Sequence, residues 1–423
     1  MESPMKRLCI VLALLLCGCA SLEKNLVKDV MNDSRRPLDR CEVEGFAYPG
    51  TDSYLGGGRV LKVLMIHGVG LHHPGYSRRL QENLAANIGL DVISRLPKNI
   101  RLLSPADGKT PIGNLRITYW QNRAGDKKLL FYELTWSEIT TPDKKIIAFD
   151  TTEQYSKFRV PFNNTMKSFL DNTLPDPLIY EVDKNNLILD SAGQSICWML
   201  KTGWNDIPAQ SSKVCRMSLR EGLERYNREN VMFITHSLGS KILMDSISLD
   251  ADNVSEAVAA SSADTALKEE IRKLQNKEIT VFMLANQLPI LQIGHPLPKV
   301  HNRLNAYCSR HGEKYGQRLF KAVNIVAFSD PNDILSYAVP QEFVDKYIDS
   351  RICPRVTNVS VNVAPEISAF GIGFVNPVTA HTAYDNSPKV INLITEGTAG
   401  FDQNRELSAQ CRFIEMKSDR NMK

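Results

Sequence analysis

Val231-Met232-Phe233-Ile234-Thr235-His236-Ser237-Leu238-Gly239-Ser240-Lys241-Ile242-Leu243-Met244 converts a short apolar run into apolar positions at helical spacing, with small residues at the junction. The pattern predicts a buried strand over 231–235, a sharp bend, and a helix whose inner face carries Ile242, Leu243, Ser246 and Ile247. A serine at such a bend presents its hydroxyl outward, as a nucleophile elbow requires. Gly239 lets the helix approach the strand, and the helix amino terminus offers a free N–H and a partial positive charge to a developing oxyanion. Thr235 stands where the common Gly-x-Ser-x-Gly pattern has its first glycine. The pentapeptide alone also fits a helix N-cap serine, so its surroundings decide its meaning.

Working toward the amino terminus, Val60-Leu61-Lys62-Val63-Leu64-Met65-Ile66 predicts a second buried strand, preceded by the turn glycines Gly56 to Gly58. Further strands are expected over 115–120, 129–136, 279–285, 322–328 and 359–363, and helices over 77–87, 214–228 and 263–275. Most of these strands are continuous apolar runs, which suit the middle of a parallel sheet covered on both sides. The 359–363 run alternates, with Val359, Val361 and Val363 on one face, and suits a place nearer the sheet edge. Alternation of strand and helix predicts an α/β protein with a mostly parallel central sheet and helices on both faces.

Ligands of such sheets bind beyond the carboxyl ends of the strands. His67-Gly68-Val69-Gly70 follows the first strong strand, and its flexible amides suit half of an oxyanion hole. Ser329-Asp330-Pro331-Asn332-Asp333-Ile334-Leu335 follows the 322–328 strand with two carboxylates in a turn-forming context. Of eight histidines, only His381 lies downstream of those aspartates, in the 378–384 loop. After it, Ser387 and Pro388 predict a helix start and Gly397 its end. The adjacent His72 and His73 are expected to be solvated loop residues.

With these motifs in hand, the chain resembles an α/β-hydrolase-fold serine hydrolase of the lipase/esterase type over about residues 60–397. The resemblance implies a Ser237–Asp333–His381 triad, with Asp333 preferred to Asp330 because an apolar pair, Ile334-Leu335, follows it. It implies an oxyanion hole from the backbone amides of Val69 and Leu238, and cleavage of carboxylic esters through an acyl-enzyme. Acyl transfer or amide hydrolysis would use the same triad. A catalytically inert hydrolase-fold module of the envelope is the alternative from a different class. The expected substrate is an ester or a lipid-like small molecule.

Lys6 and Arg7 precede an apolar run, Leu8 to Leu16, that is far shorter than the ~20 residues of a spanning helix and predicts a secretory signal. Leu16-Cys17-Gly18-Cys19 resembles a bacterial lipoprotein signal, which implies removal of residues 1–18 and a lipid on Cys19. Residues 19–40 would then tether a domain running from 41 to 423. Ala20 after the cysteine implies sorting to the outer membrane, so the expected membrane contact is the amino-terminal lipid. Cys41, Cys197, Cys215, Cys308, Cys353 and Cys411 remain, enough for three disulfides in an oxidising compartment. Cysteine and histidine spacing predicts no metal site, and no cofactor is expected.

A 43% hydrophobic and 23% charged composition suits a packed domain, and a net charge of +4 with interspersed signs gives no footprint for nucleic acid. One long stretch breaks the alternation. Residues from about 138 to 205 exceed what a crossover needs and carry Phe149, Tyr155, Phe158, Phe162, Phe169, Tyr180, Trp198 and Trp204. A helical, cap-like insertion is expected there, its aromatics either facing a greasy substrate or packing extra helices on the sheet.

Overall fold

The computed structural model describes residues 41–416 apart from Asp183, Thr202, 261–263, 370 and 371. Cys19, the signal and the tether lie outside the described residues. The strands are β1 (Cys41–Gly45), β2 (Val60–Ile66), β3 (Asp91–Val92), β4 (Lys98–Leu103), β5 (Pro111–Gln121), β6 (Lys128–Thr135) and β7 (Gln210–Ser212). Then come β8 (Asn230–His236), β9 (Glu278–Leu284), β10 (Ala322–Ser329), β11 (Pro354–Ser360), β12 (Glu366–Ala369), β13 (Ile372–Val375) and β14 (Cys411–Glu415). Twelve of them form one sheet in the order β14-β1-β11-β10-β9-β8-β2-β6-β5-β4-β7, with β3 paired to β5.

The block from β6 through β2, β8, β9 and β10 to β11 is parallel throughout, while β5 runs against β6 and β4, and β1 against β11. The sheet is therefore mixed but mostly parallel, as expected for an α/β protein. Its continuous apolar strands are buried on both sides. Leu64 and Ile66 of β2 join one core with Ile188, Met199, Ile242 and Leu243. Leu61, Val63 and Met65 join the other, with Leu80, Leu84, Val390 and Leu393. Burial of each such side chain contributes roughly 1.5–3 kcal/mol.

The principal helices are α1 (Arg78–Ile88), α2 (Pro161–Thr173), α3 (Pro175–Val182), α4 (Asn185–Lys201), α5 (Leu219–Arg228), α6 (Gly239–Ala260), α7 (Thr265–Leu274), α8 (Pro377–Thr382) and α9 (Pro388–Glu396). Helix α5 begins at an N-cap: the Ser218 hydroxyl accepts from the Glu221 amide. Its chain then enters β8 directly. Between β6 and β7 the chain is helical, with α2, α3 and α4 as its longest pieces.

Two expectations change on contact with the structure. The strand expected at 359–363 spans Pro354–Ser360, and with only β1 and β14 outside it, it lies nearer the sheet edge as expected. Those outer strands are short segments brought in from the two ends of the fold, joined by the Cys41–Cys411 disulfide. The 364–376 stretch ahead of His381 contains the antiparallel β12–β13 pair. His381 sits on α8 and not in a loop, because Asn376 caps the Val378 and Thr379 amides ahead of Pro377 at the first helical position. The other two disulfides join Cys197 to Cys215 and Cys308 to Cys353, using all six cysteines of the expected set.

Candidate active site at the sheet rim

The bend after β8 is held in a conformation that ordinary side chains avoid. Ser237 has φ +55°, at a cost of about 1–3 kcal/mol that the surroundings must offset. They do so from several sides. The Ser237 amide donates to Leu284 O at the end of β9 (2.9 Å), and Ser240 N donates to Ser237 O (3.0 Å). Thr235 is fully buried, and its hydroxyl pairs with the Ser240 hydroxyl at 2.9 Å and donates to Phe282 O at 3.3 Å. Threonine at this position therefore ties the incoming strand to the outgoing helix, which a glycine would not do.

Two glycines are required by close approach. A Cβ on Gly239 would lie 2.4 Å from Ile66 O and 2.8 Å from His67 O. A Cβ on Gly68 would lie 2.4 Å from the Ser237 Cβ and 2.9 Å from its Oγ. The His67–Gly70 turn thus packs directly on the serine.

His67 fixes that turn. Its Nε2 accepts from the Trp136 amide (3.0 Å), which leaves the proton on Nδ1 to be donated to Gly68 O (2.7 Å). The Trp136 indole donates to His67 O at 3.0 Å, and the two rings stack at 4.8 Å. Burial, reinforced by the neighbouring His72, keeps the imidazole well below its usual pKa, so it stays neutral. His72 stacks on its other side and donates from Nε2 to Val69 O at 3.1 Å. The expectation of solvated histidines therefore fits exposed His73 but not His72.

Asp333 and His381 meet. The Asp333 carboxylate accepts from His381 Nδ1 at 2.9 Å through Oδ2 and from Leu335 N at 2.9 Å through Oδ1. The residues are 4% and 3% exposed, too little for water to compete for that bond. With its proton on Nδ1, the imidazole has an unprotonated Nε2. Among the described residues, neither that nitrogen nor the Ser237 hydroxyl, also buried, has a hydrogen-bond partner. His236 joins the two segments by donating from Nε2 to His381 O (2.8 Å), its ring 5.1 Å from that of His381.

Asp330 has a different task. Its Oδ2 accepts from Val363 N (2.7 Å), its Oδ1 accepts from Asn332 N (2.8 Å), and its own amide donates to the Tyr384 hydroxyl (2.7 Å). It braces the segments that follow β10 and β11 and makes no bond to the histidine.

The amides of Val69 and Leu238 make no hydrogen bond among the described residues, and both lie in turns that meet at Ser237. Among the described residues no group of three or more His, Cys, Asp or Glu is disposed to hold a metal ion, and no helix is long and apolar enough to cross a membrane.

Sequence reasoning did not single out His67, His72, His236 or Trp136 for the site. Only the position of His67 directly after a strand carried a signal. Comparison with known protein families, curated proteins and solved structures finds no match to this chain.

Proposed function

We propose that the protein is a serine hydrolase of α/β-hydrolase type that cleaves carboxylic esters, with Ser237 as nucleophile, His381 as general base and acid, and Asp333 as the acid that orients it. One observation carries this reading: an imidazole whose Nδ1 is committed to a buried carboxylate has a free Nε2, at a rim where a strained serine hydroxyl is also unpartnered.

In acylation, the Ser237 hydroxyl proton passes to His381 Nε2 as Oγ bonds to the substrate carbonyl carbon. The carbonyl oxygen becomes an oxyanion facing the Val69 and Leu238 amides. Asp333 offsets the charge of the imidazolium, which then protonates the departing alkoxide. Water repeats the sequence to release the acid. General base catalysis supplies ~10²–10⁴-fold, and each oxyanion donor ~10²–10³-fold.

The helical insertion supports a greasy substrate. Phe158 and Val182 are 85% and 87% exposed, and Ile146, Val160, Leu174 and Leu178 are more than half exposed. Tyr180 and Trp198, by contrast, pack extra helices onto the core. A lipid on Cys19 and residence at the outer membrane belong to the same proposal, and the three disulfides suit such an oxidising compartment.

The inert-module reading draws on a separate observation, the complete burial of Ser237. A fluorophosphonate probe separates the two. The enzyme reading expects covalent labelling of the wild-type chain, absent in Ser237→Ala at unchanged thermal stability. A wild-type chain that resists the probe at all concentrations would leave the module reading standing.

A further inference from the structure

We infer that Asp176, on the insertion helix α3, is a positioning residue that holds the Val69 amide in its oxyanion-binding orientation. The inference rests on the hydrolase reading above and adds to it a part from outside the triad.

Val69 lies between two peptide planes, and both are pinned. The Gly68–Val69 plane has its carbonyl bound to His67 Nδ1 at 2.7 Å. In a trans peptide the N–H points opposite to the C=O, so that bond sets where the Val69 N–H aims. The Val69–Gly70 plane is held at both ends. Its carbonyl accepts from His72 Nε2 at 3.1 Å, and its Gly70 N–H donates to Asp176 Oδ2 at 2.6 Å. Gly70 has φ +97°, a conformation only glycine adopts freely, so an unanchored turn here would be mobile.

Packing does not explain Asp176. It is fully buried on a helix whose neighbours Leu174 and Leu178 are 55% and 60% exposed. An isolated buried carboxylate is costly, yet this one is fully bonded. Oδ1 accepts from the Thr140 hydroxyl at 2.7 Å, and Lys144 Nζ lies 2.7 Å from Oδ2. Lys144 cancels the charge, so the acceptor reaches the turn without setting a net negative charge beside a developing oxyanion. Helix α3 is thereby wired to the catalytic rim through the Gly70–Asp176 hydrogen bond.

Asp176→Ala and Asp176→Asn in the full chain test this with a p-nitrophenyl ester and a phenylboronic acid, which mimics the tetrahedral adduct. Asp176→Ala is expected to lower kcat by ~10–100-fold, less than outright loss of a donor, with KM changed less than about threefold by the same reasoning that ground-state binding is spared. Boronate affinity should fall in parallel, and Asp176→Asn, which keeps an acceptor for Gly70 N, should recover part of both. If Asp176→Ala does not fold, His72→Leu, which releases the other end of the same peptide, should show the same split. Unchanged kcat and boronate affinity in a folded variant, or no recovery by asparagine, would overturn the inference. A wild-type chain unlabelled by fluorophosphonate would instead overturn the hydrolase reading itself.

Discussion

The rim around Ser237 and the insertion between β6 and β7 are built on opposite plans. At the rim His67, Trp136, Asp333 and His381 are fixed by named hydrogen bonds, the Ser237 hydroxyl and His381 Nε2 have no partner among the described residues, and Gly68 and Gly239 stand where a side chain would collide. In the insertion, α2 and α3 leave large apolar side chains in solvent and bury little beyond Thr173, Asp176 and Tyr180. Reaction geometry tolerates errors of only a fraction of an ångström, so under the proposed function the chemistry belongs where the fold overdetermines position. Under the same proposal, recognition of a flexible apolar substrate belongs to the exposed apolar surface of the insertion.

Exchanging the roles of the two aspartates is the most severe way to break that contrast. Asp333→Asn should cost ~10²–10⁴ in kcat with little loss of stability, because it removes the charge that orients and stabilises the imidazolium. Asp330→Asn should show the reverse, a lower melting temperature with activity kept in the folded fraction. Equal effects in steady-state kinetics and thermal melts would erase the distinction between a reacting and a bracing carboxylate.

Acid should attack the rim before it reaches the insertion. Burial, with the nearby His381, pushes the His236 imidazole down to about 3, and burial also lowers His67 and His72. Unfolded, each takes up a proton as pH falls through ~6.5, while the folded forms remain neutral. For His236 the stability present above that pH is therefore lost as pH falls from ~6.5 toward about 3, at up to ~1.4 kcal/mol per unit, and His67 and His72 act in the same direction. His381 and Asp333 face the same ring, so His236→Gln, which keeps a donor to the His381 carbonyl, should flatten the profile in melts between neutral and mildly acidic buffer. An unaltered slope would count against this assignment.

The smallest change belongs to the insertion. Phe158→Ser with Val182→Ser should leave stability within ~0.5 kcal/mol, as for other exposed positions, yet shift preference from long toward short acyl chains. A series of p-nitrophenyl esters measures it, and an unmoved preference would detach the insertion from substrate choice.

Much of this was legible because the elements concerned carry their own signals. β2 and β8 are unbroken apolar runs, Ser237 lies at a change of hydrophobic period, and His381 is the last histidine after a pair of aspartates. Asp330 and Asp333 share turn chemistry, and only the tertiary partners, Val363 N against His381 Nδ1, tell them apart. The edge strands β1 and β14 escaped notice because five-residue segments at opposite ends of the fold have no local reason to be strands until they pair. Asp176 reads as a turn residue in Pro175-Asp176-Pro177, and nothing nearby in sequence announces a bond to Gly70.

The link between Cys41 and Cys411 spans 370 residues. It closes almost the whole folded body into a covalent hoop. Tension applied from the amino-terminal side of Cys41 therefore passes into a sulfur bridge shared with the last strand, and the edge ladder is not peeled apart one hydrogen bond at a time. A protease that nicked the outward-facing helices would leave both fragments travelling together until a reductant was added.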